Sequence, residues 1–221
     1  MTDEPTSFLY PFIDAEESDS ASLLADLAAS AQAKAAESLA LRRSTLEANA
    51  DLLNRAATEM AHRFAAGGRL FTFGNGGSCT DSATLAGLFA RPQIGDALPA
   101  WSLTTDQAIL TALGNDVGFD LVFARQLIAR AKAGDIAIAM STSGNSPNLL
   151  AGLAEARQRG LYTVGFAGYD GGAFTDSPNV DACFVVRSQS VHRIQESQAL
   201  LGYQLWLAVH DRLRGKDVGA A

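Results

Sequence analysis

Two strand–loop–helix units of similar design constrain this sequence more than any other feature. The apolar run 70–73 leads into Gly74-Asn75-Gly76-Gly77-Ser78, and the apolar run 136–140 leads into Ser141-Thr142-Ser143-Gly144-Asn145-Ser146 and Pro147. Glycines let a backbone turn sharply and approach a ligand, and the helix that follows presents free N–H groups and a positive dipole end. Pro also suits the first helical position. The two loops therefore predict a site for a small phosphorylated ligand at the carboxyl edge of a parallel sheet.

Strand and helix patterns alternate along the rest of the chain. Strands are predicted at 69–73, 100–103, 135–140, 162–166 and 182–186. Helices are predicted at 80–90, 106–112, 119–133, 148–159 and 193–214. This alternation predicts an α/β fold, in which a five-stranded parallel sheet is doubly wound by right-handed helical crossovers.

The first 66 residues differ from the rest in composition. Residues 1–20 are acidic around the apolar segment 8–13, which predicts either a frayed tail or an arm that packs on a neighbouring subunit. Residues 22–66 are rich in Ala and Leu and lack Pro and Gly, so we expect two helices that divide near Arg43-Ser44. The predicted organisation is an arm at 1–20, oligomerisation helices at 21–66 and an α/β domain at 67–221.

Composition excludes several classes of function. A formal net charge of −7 argues against direct binding to nucleic acid. No apolar run approaches the roughly 20 residues of a membrane span, and the start of the chain lacks the pattern of a secretory signal. We therefore expect a cytoplasmic protein without membrane attachment. Cys79 and Cys183 have no metal-type spacing, and Cys79 is either a small buried residue or a nucleophile at a helix start.

The motifs together resemble a known family. The two loops combine with Gly114-Asn115-Asp116, Asp170-Gly171-Gly172 and Arg193-Ile194-Gln195-Glu196. In order and spacing these motifs resemble the sugar isomerase (SIS) domain, in the phosphoheptose isomerase branch that includes a bacterial replication-initiator-associating adaptor. The resemblance implies a flavodoxin-like sheet, a homotetramer and a phosphosugar site shared between subunits.

The resemblance also implies which residues contact the ligand. The residues that match phosphate- or sugar-contacting positions are Asn75, Gly76, Ser78, Asp116, Ser141, Thr142, Ser143, Asn145, Ser146 and Gln195. Hydroxyls and backbone amides of this kind can satisfy phosphate oxygens without a lysine.

The catalytic positions of the family are mostly replaced. Family isomerases convert sedoheptulose 7-phosphate by moving a proton, using a His and a Glu on one helix and a Gln and a His on the last helix, which in some members also bind zinc. These positions read Thr84, Leu88, Gln195 and Tyr203. Leucine accepts no proton, tyrosine is a poor base near neutral pH, and this set is not a zinc site. We therefore predict a phosphosugar-binding sensor or adaptor with no metal and no cofactor.

Two other functions stay open from the sequence. The chain could be an active isomerase with a relocated base, His192 or an acid near it. The candidate catalytic residues are His192, Gln195 and Asp116, and the other candidates are Glu196, Asp81 and Asp120. It could also be a structural adaptor that docks on a protein partner. A salt bridge is expected for Glu196. Surface positions are expected for His62 and His210, and core or interface positions for Trp101 and Trp206.

Overall fold

The computed structural model describes residues 20–217, so the acidic arm predicted at 1–20 lies almost wholly outside the described residues. The strands are β1 (Leu70–Gly74), β2 (Ala100–Ser102), β3 (Ile136–Met140), β4 (Tyr162–Gly168) and β5 (Ala182–Val186). The helices are α1 (Ser20–Ala65), α2 (Gly77–Ala90), α3 (Gln107–Asp116), α4 (Val122–Arg130), α5 (Pro147–Gln158), α6 (Ala173–Asp176) and α7 (Val191–Asp217), and a 3₁₀ turn spans Phe119–Leu121.

The five strands form one parallel sheet in the order β2-β1-β3-β4-β5. β1 pairs with β3 from Leu70 opposite Ile136 to Gly74 opposite Met140, so both strands end at the same level. The chain winds one way from β1 to β2 and the other way from β3 onwards. This confirms the predicted doubly wound α/β fold and puts the reversal of winding between β1 and β3.

Apolar side chains bury both faces of the sheet. On one face, α1, α2 and α7 contribute Met60, Phe89 and Leu205 to a core over the alternate residues of the strands. On the other face, α4 and α5 contribute Phe123 and Leu153. β1 and β3 are buried along their full length, as expected for strands covered on both sides.

α1 is continuous, which makes the predicted break near Arg43-Ser44 wrong. The chain has no Gly or Pro between Ser20 and Ala65 that would end the helix. The Ser44 hydroxyl donates to the Leu41 carbonyl oxygen within the helix, so Ser44 fits in it without a break. The chain divides into two compact units between Ala40 and Leu41. No helix within residues 20–217 combines the length and the apolar character needed to cross a membrane.

His210 lies in the core instead of on the surface, which corrects the expectation for this residue. It is 2% exposed, and its ring packs between Phe89 and Trp206. Its two ring nitrogens lie 3.1 Å from the carbonyl oxygens of Trp206 and Asp96. A ring N–H can donate to one of these two carbonyl oxygens, so this polar side chain has a hydrogen-bond partner although it is buried. His62 is exposed, as expected.

Candidate functional site

The two loops meet at the reversal of winding, because they follow adjacent parallel strands. The Asn75 side-chain amide donates to Asn148 Oδ1 at 2.8 Å, and the Asn148 amide donates to Asn75 Oδ1 at 2.9 Å. Asn75 belongs to the loop after β1, and Asn148 is 2% exposed in the first turn of α5. This reciprocal pair ties the glycine-rich loop to the helix that follows the hydroxyl-rich loop.

The glycine-rich loop turns directly into α2. A Cβ on Gly74 would lie 2.4 Å from the Ser78 carbonyl oxygen, and Gly76 has a φ of +54°, so both positions favour glycine. α2 begins at Gly77, three residues before the predicted start, which brings Ser78 into its first turn. Ser78 is 3% exposed, whereas Gly76 is exposed.

The Ser141 side chain stabilises the turn of the hydroxyl-rich loop by hydrogen bonds to its backbone. Its Oγ accepts hydrogen bonds from the backbone N–H groups of Ser143, at 3.2 Å, and Gly144, at 3.0 Å. Asn145 Oδ1 accepts from the Ala173 N–H at 2.7 Å and so ties this loop to α6. The loop is therefore held in one conformation by its own side chains.

Three other hydroxyls of this loop are available. Thr142, Ser143 and Ser146 are half-buried, and within residues 20–217 the hydroxyls of Thr142 and Ser146 make no hydrogen bond. Ser146 caps α5 by position without a side-chain hydrogen bond, and Pro147 follows it. Hydroxyl donors at a helix start suit an oxyanion.

A cleft of about 480 Å³ opens beside the glycine-rich loop, between α2 and α7. It is lined by Gly77, Thr80, Asp81, His192, Gln195, Glu196 and Ala199. Gln195 Nε2 donates to Asp81 Oδ2 at 3.0 Å. Burial raises the pKa of the Asp81 carboxyl above its ordinary value, and the hydrogen bond from Gln195 lowers this pKa by a smaller amount.

The other candidate acids and bases, His192, Glu196 and Asp116, are less buried than Asp81 and lie in different places relative to the cleft. His192 is exposed at the rim of the cleft. Glu196 forms the expected salt bridge, with its Oε2 3.0 Å from Arg42 Nη2. Asp116 is exposed at the end of α3 and accepts from the Asn115 amide, and no hydrogen bond within residues 20–217 joins it to either loop.

The four positions that the resemblance assigns to catalysis are Thr84, Leu88, Gln195 and Tyr203. Thr84 is exposed and donates to the Thr80 carbonyl, and Leu88 packs against the apolar core. The Tyr203 ring packs against Trp206 in a tilted geometry, with a centroid distance of 5.3 Å and an interplanar angle of 42°. One hydroxyl, one hydrocarbon, one amide and one phenol do not fit zinc. No group of three His, Cys, Asp or Glu residues that could hold a metal occurs in the described part of the chain.

Sequence reasoning missed two buried amides at this site, Asn148 and Gln198. Gln198 is 0% exposed, and its Nε2 donates to the Ser141 carbonyl oxygen at 2.7 Å. A signal for Gln198 was available, because it follows Gln195 by three residues and residues three apart share a helix face. Asn148 offered a weaker signal, as a polar residue in the first turn after the loop.

Comparisons with known proteins agree with the fold and the loops. The SIS domain family profile matches residues 35–168. The phosphoheptose isomerase of Solidesulfovibrio magneticus is 43% identical over 175 residues, covering 76% of this chain and 82% of that relative. The structure of the phosphoheptose isomerase of Neisseria gonorrhoeae matches with a TM-score of 0.77 and 31% identity, over 83% of this chain and 98% of that chain. The Francisella tularensis enzyme also gives a TM-score of 0.77, with 27% identity over 82% and 97% of the two chains.

Proposed function

This chain belongs to the SIS domain family, and we propose that it binds a small phosphorylated sugar without isomerising it. The phosphate is held by the hydroxyl-rich loop 141–146 and the start of α5, and the sugar extends toward the cleft beside Gln195. The observation that carries the proposal is the contrast between the two regions. The hydroxyl loop is ordered by its own hydrogen bonds. The positions that the resemblance assigns to proton transfer hold instead Leu88 and Tyr203, neither of which is suited to it.

The phosphate half of the proposal follows from the available donors. Thr142, Ser143 and Ser146 offer hydroxyls, and the first turn of α5 adds the positive end of a helix dipole. No Lys or Arg lies within residues 141–146, so a phosphate monoester is bound by directed hydrogen bonds more than by full charges. This arrangement suits a small ligand.

We expect no isomerisation because the positions that the resemblance assigns to proton transfer hold no suitable base. Aldose–ketose conversion requires a group that can remove a proton within hydrogen-bond reach of the sugar carbons. Leu88 cannot take a proton, and Tyr203 is 44% exposed and packs against Trp206. The retained Gln195 is an amide, which can orient a sugar but cannot act as a general base.

Proton NMR of sedoheptulose 7-phosphate in D2O, with the full chain added, tests both halves. Line broadening without loss of the signals beside the carbonyl is expected. Ser143→Ala should reduce the broadening, whereas Ser177→Ala should not. Ser177 is a matched control, because its hydroxyl accepts from the N–H two residues later, as that of Ser143 does. Broadening that is unchanged in Ser143→Ala would contradict the assignment of the phosphate loop.

An active isomerase with a relocated base is the second candidate, and Asp81 is the observation that favours it. Asp81 lines the cleft, its pKa is raised by burial, and Gln195 holds its carboxylate. Exchange of solvent deuterium into the substrate would support this function, and its loss in Asp81→Asn with retention in His192→Ala would assign the base. Retention in Asp81→Asn and loss in His192→Ala would assign His192 instead.

We also propose that the chain assembles as a homotetramer through its N-terminal helical segment. Within residues 21–40, four leucines are between 43% and 66% exposed: Leu23, Leu24, Leu27 and Leu39. Exposed apolar side chains at this density usually mark a protein interface. Sedimentation of the full chain should give a tetramer, and Leu24→Asp with Leu27→Asp should reduce its mass.

A further inference from the structure

A pocket of about 290 Å³ lies at the amino edge of the sheet, away from the two loops. It is lined by Arg69, Phe71, Trp101, Ala129 and Arg130. Arg69 directly precedes β1, whereas Asn75 of the glycine-rich loop directly follows it. A strand rises about 3.3 Å per residue, so these two residues are about 20 Å apart. The pocket is therefore separate from the proposed phosphosugar site.

Trp101 gives this pocket an accessible aromatic surface. It lies in the edge strand β2, opposite Phe71 of β1, and is 47% exposed. The two rings have a centroid distance of 6.0 Å and an interplanar angle of 26°. Phe71 is 2% exposed, so it supports the indole from one side and leaves the rest of the indole accessible. The small side chain of Ala129, near the end of α4, leaves space for a planar group to stack on Trp101.

One arginine of the pocket has a compensated charge and the other does not. Arg69 Nη2 lies 2.8 Å from Asp135 Oδ2, and Arg69 Cζ lies 5.4 Å from the centroid of the Phe71 ring. Arg69 Nη2 also donates to the Arg130 carbonyl oxygen at 2.7 Å, which holds the two residues together. Within residues 20–217, no hydrogen bond or ion pair uses the Arg130 guanidinium or Arg69 Nη1. The pocket therefore offers an uncompensated positive charge.

The polar side chains that line the pocket are all hydrogen-bond donors. A guanidinium and an indole N–H donate hydrogen bonds and accept none. The Asp135 carboxylate is 0% exposed, and it already accepts from Arg69 and from the Lys132 N–H. A neutral sugar would find no side-chain acceptor here for its hydroxyl groups. A nucleotide fits better, because its base brings a π face and ring-nitrogen acceptors, and its phosphate pairs with arginine.

We propose that this pocket binds a nucleoside monophosphate, with the base stacked on Trp101 and the phosphate paired with the Arg130 guanidinium and Arg69 Nη1. A volume of about 290 Å³ is close to the lower limit of the roughly 300–1,000 Å³ of small-molecule sites, which suits a single nucleotide. The net charge of −7 repels a polyanion and so favours a free nucleotide over a nucleic acid. This site does not depend on the proposed phosphosugar binding.

Titration of the full chain with AMP, followed by tryptophan fluorescence and by calorimetry, tests the site. The other tryptophan, Trp206, is 3% exposed, so quenching by a stacked base reports Trp101. AMP should quench the emission. Adenosine lacks the phosphate and should bind about tenfold more weakly, which corresponds to about 1.4 kcal/mol. A short single-stranded oligoadenylate should bind no more tightly than AMP.

Substitutions separate the contributions of the base and the phosphate. Arg130→Gln should weaken AMP binding about tenfold and leave adenosine binding unchanged. Arg125→Gln is the matched control, because Arg125 is an exposed arginine of the same helix outside the pocket, and it should keep wild-type affinity. Trp101→Leu should weaken the binding of both AMP and adenosine about tenfold. Ser143→Ala should leave AMP affinity unchanged, since the hydroxyl-rich loop lies at the other edge of the sheet.

Several results would overturn the proposal. If AMP did not quench wild type, the pocket would not hold a stacked base, and emission typical of a buried indole would then assign Trp101 to a subunit contact. Unchanged AMP affinity in Arg130→Gln or in Trp101→Leu would remove the phosphate or the base from this pocket. Loss of AMP affinity in Ser143→Ala, without loss in Arg130→Gln, would move the nucleotide to the hydroxyl-rich loop. Tighter binding of the oligoadenylate than of AMP would assign the surface to nucleic acid.

Discussion

Asn75 and Asn148 exchange two side-chain hydrogen bonds, at 2.8 and 2.9 Å, although they lie 73 residues apart in the chain. Each amide donates one hydrogen bond to the other and accepts one from it. The pair connects the glycine-rich loop to the first turn of α5. The two loops of the proposed ligand site therefore keep one relative position.

Alanine substitutions at this pair should be strongly coupled. Asn75→Ala and Asn148→Ala each leave a buried or half-buried amide without its partner, whereas the double variant removes both. We expect a coupling free energy of about 1–2 kcal/mol in urea unfolding. Asn115→Ala is the control, because Asn115 is exposed and its side-chain amide donates to the neighbouring Asp116. A change below about 0.5 kcal/mol is expected. Additive single effects would contradict the pairing.

Alanine substitutions at two glycines of α2 should affect different properties: Gly87→Ala the stability of the fold, and Gly77→Ala the binding of the ligand. A Cβ on Gly77 would lie 2.3 Å from Gln195 Nε2, so we expect Gly77→Ala to displace this amide and weaken its hydrogen bond to Asp81. A Cβ on Gly87 would meet nothing within 4 Å. We expect Gly87→Ala to raise the free energy of unfolding by about 0.5–1 kcal/mol.

Gly77→Ala should instead act on the ligand. In isothermal titration, Gly77→Ala should bind sedoheptulose 7-phosphate about tenfold more weakly than wild type. The displaced Gln195 would no longer donate its hydrogen bond to the sugar, which costs about 1.4 kcal/mol. Gly87→Ala should keep wild-type affinity. If Gly77→Ala bound the ligand as wild type does, Gln195 would have no part in the site.

Asp81 should make the stability of the protein depend on pH. Burial raises its pKa in the folded protein above the ordinary value of 3.8, so the folded chain holds this proton more tightly than the unfolded chain. The stabilisation is complete below pH 3.8 and is lost as the pH rises through the raised pKa. Asp81→Asn still accepts from Gln195 and carries no charge. Its free energy of unfolding should exceed that of wild type at pH 7, with the excess shrinking toward pH 4.

Tyr162→Phe provides the control for this pH series. Burial, and next the charge of Asp181, raise the pKa of Tyr162 to about 12. The phenol is therefore protonated in the folded and the unfolded chain throughout the acid-to-neutral range. Unfolding curves of Tyr162→Phe and wild type should run parallel from pH 4 to pH 8. An Asp81→Asn curve that also runs parallel to wild type would contradict the raised pKa.

The two histidines outside the cleft should differ sharply in their effect on stability. His210→Ala removes the ring contacts with Phe89 and Trp206 and a ring hydrogen bond to a backbone carbonyl oxygen, so we expect a loss of about 2–4 kcal/mol in urea unfolding. His62→Ala, at an exposed position, should change stability by less than about 0.5 kcal/mol. Equal effects would refute the buried position of His210.

The strand–loop–helix units and the parallel sheet could be predicted from the sequence, because they depend on local order. Alternating apolar runs and helical patterns, with glycines and Pro147 at the junctions, specify each element within a few residues. The start of α2 at Gly77 was missed because helix propensity argues against glycine, whereas the loop needs a residue without a Cβ beside Gln195. The continuity of α1 was missed because a helix of 46 residues is unusual.

By itself the sequence determined the elements, their alternation and the loops that carry hydroxyls, since these depend on neighbours along the chain. Only the tertiary structure decided which side chains meet. The hydrogen bond from Gln195 to Asp81 spans 114 residues, and the burial of His210 depends on α2 and the loop at Asp96. The cleft beside Gln195 exists because α2 and α7 pack together. Such contacts follow from how helices pack on the sheet, which local propensity does not encode.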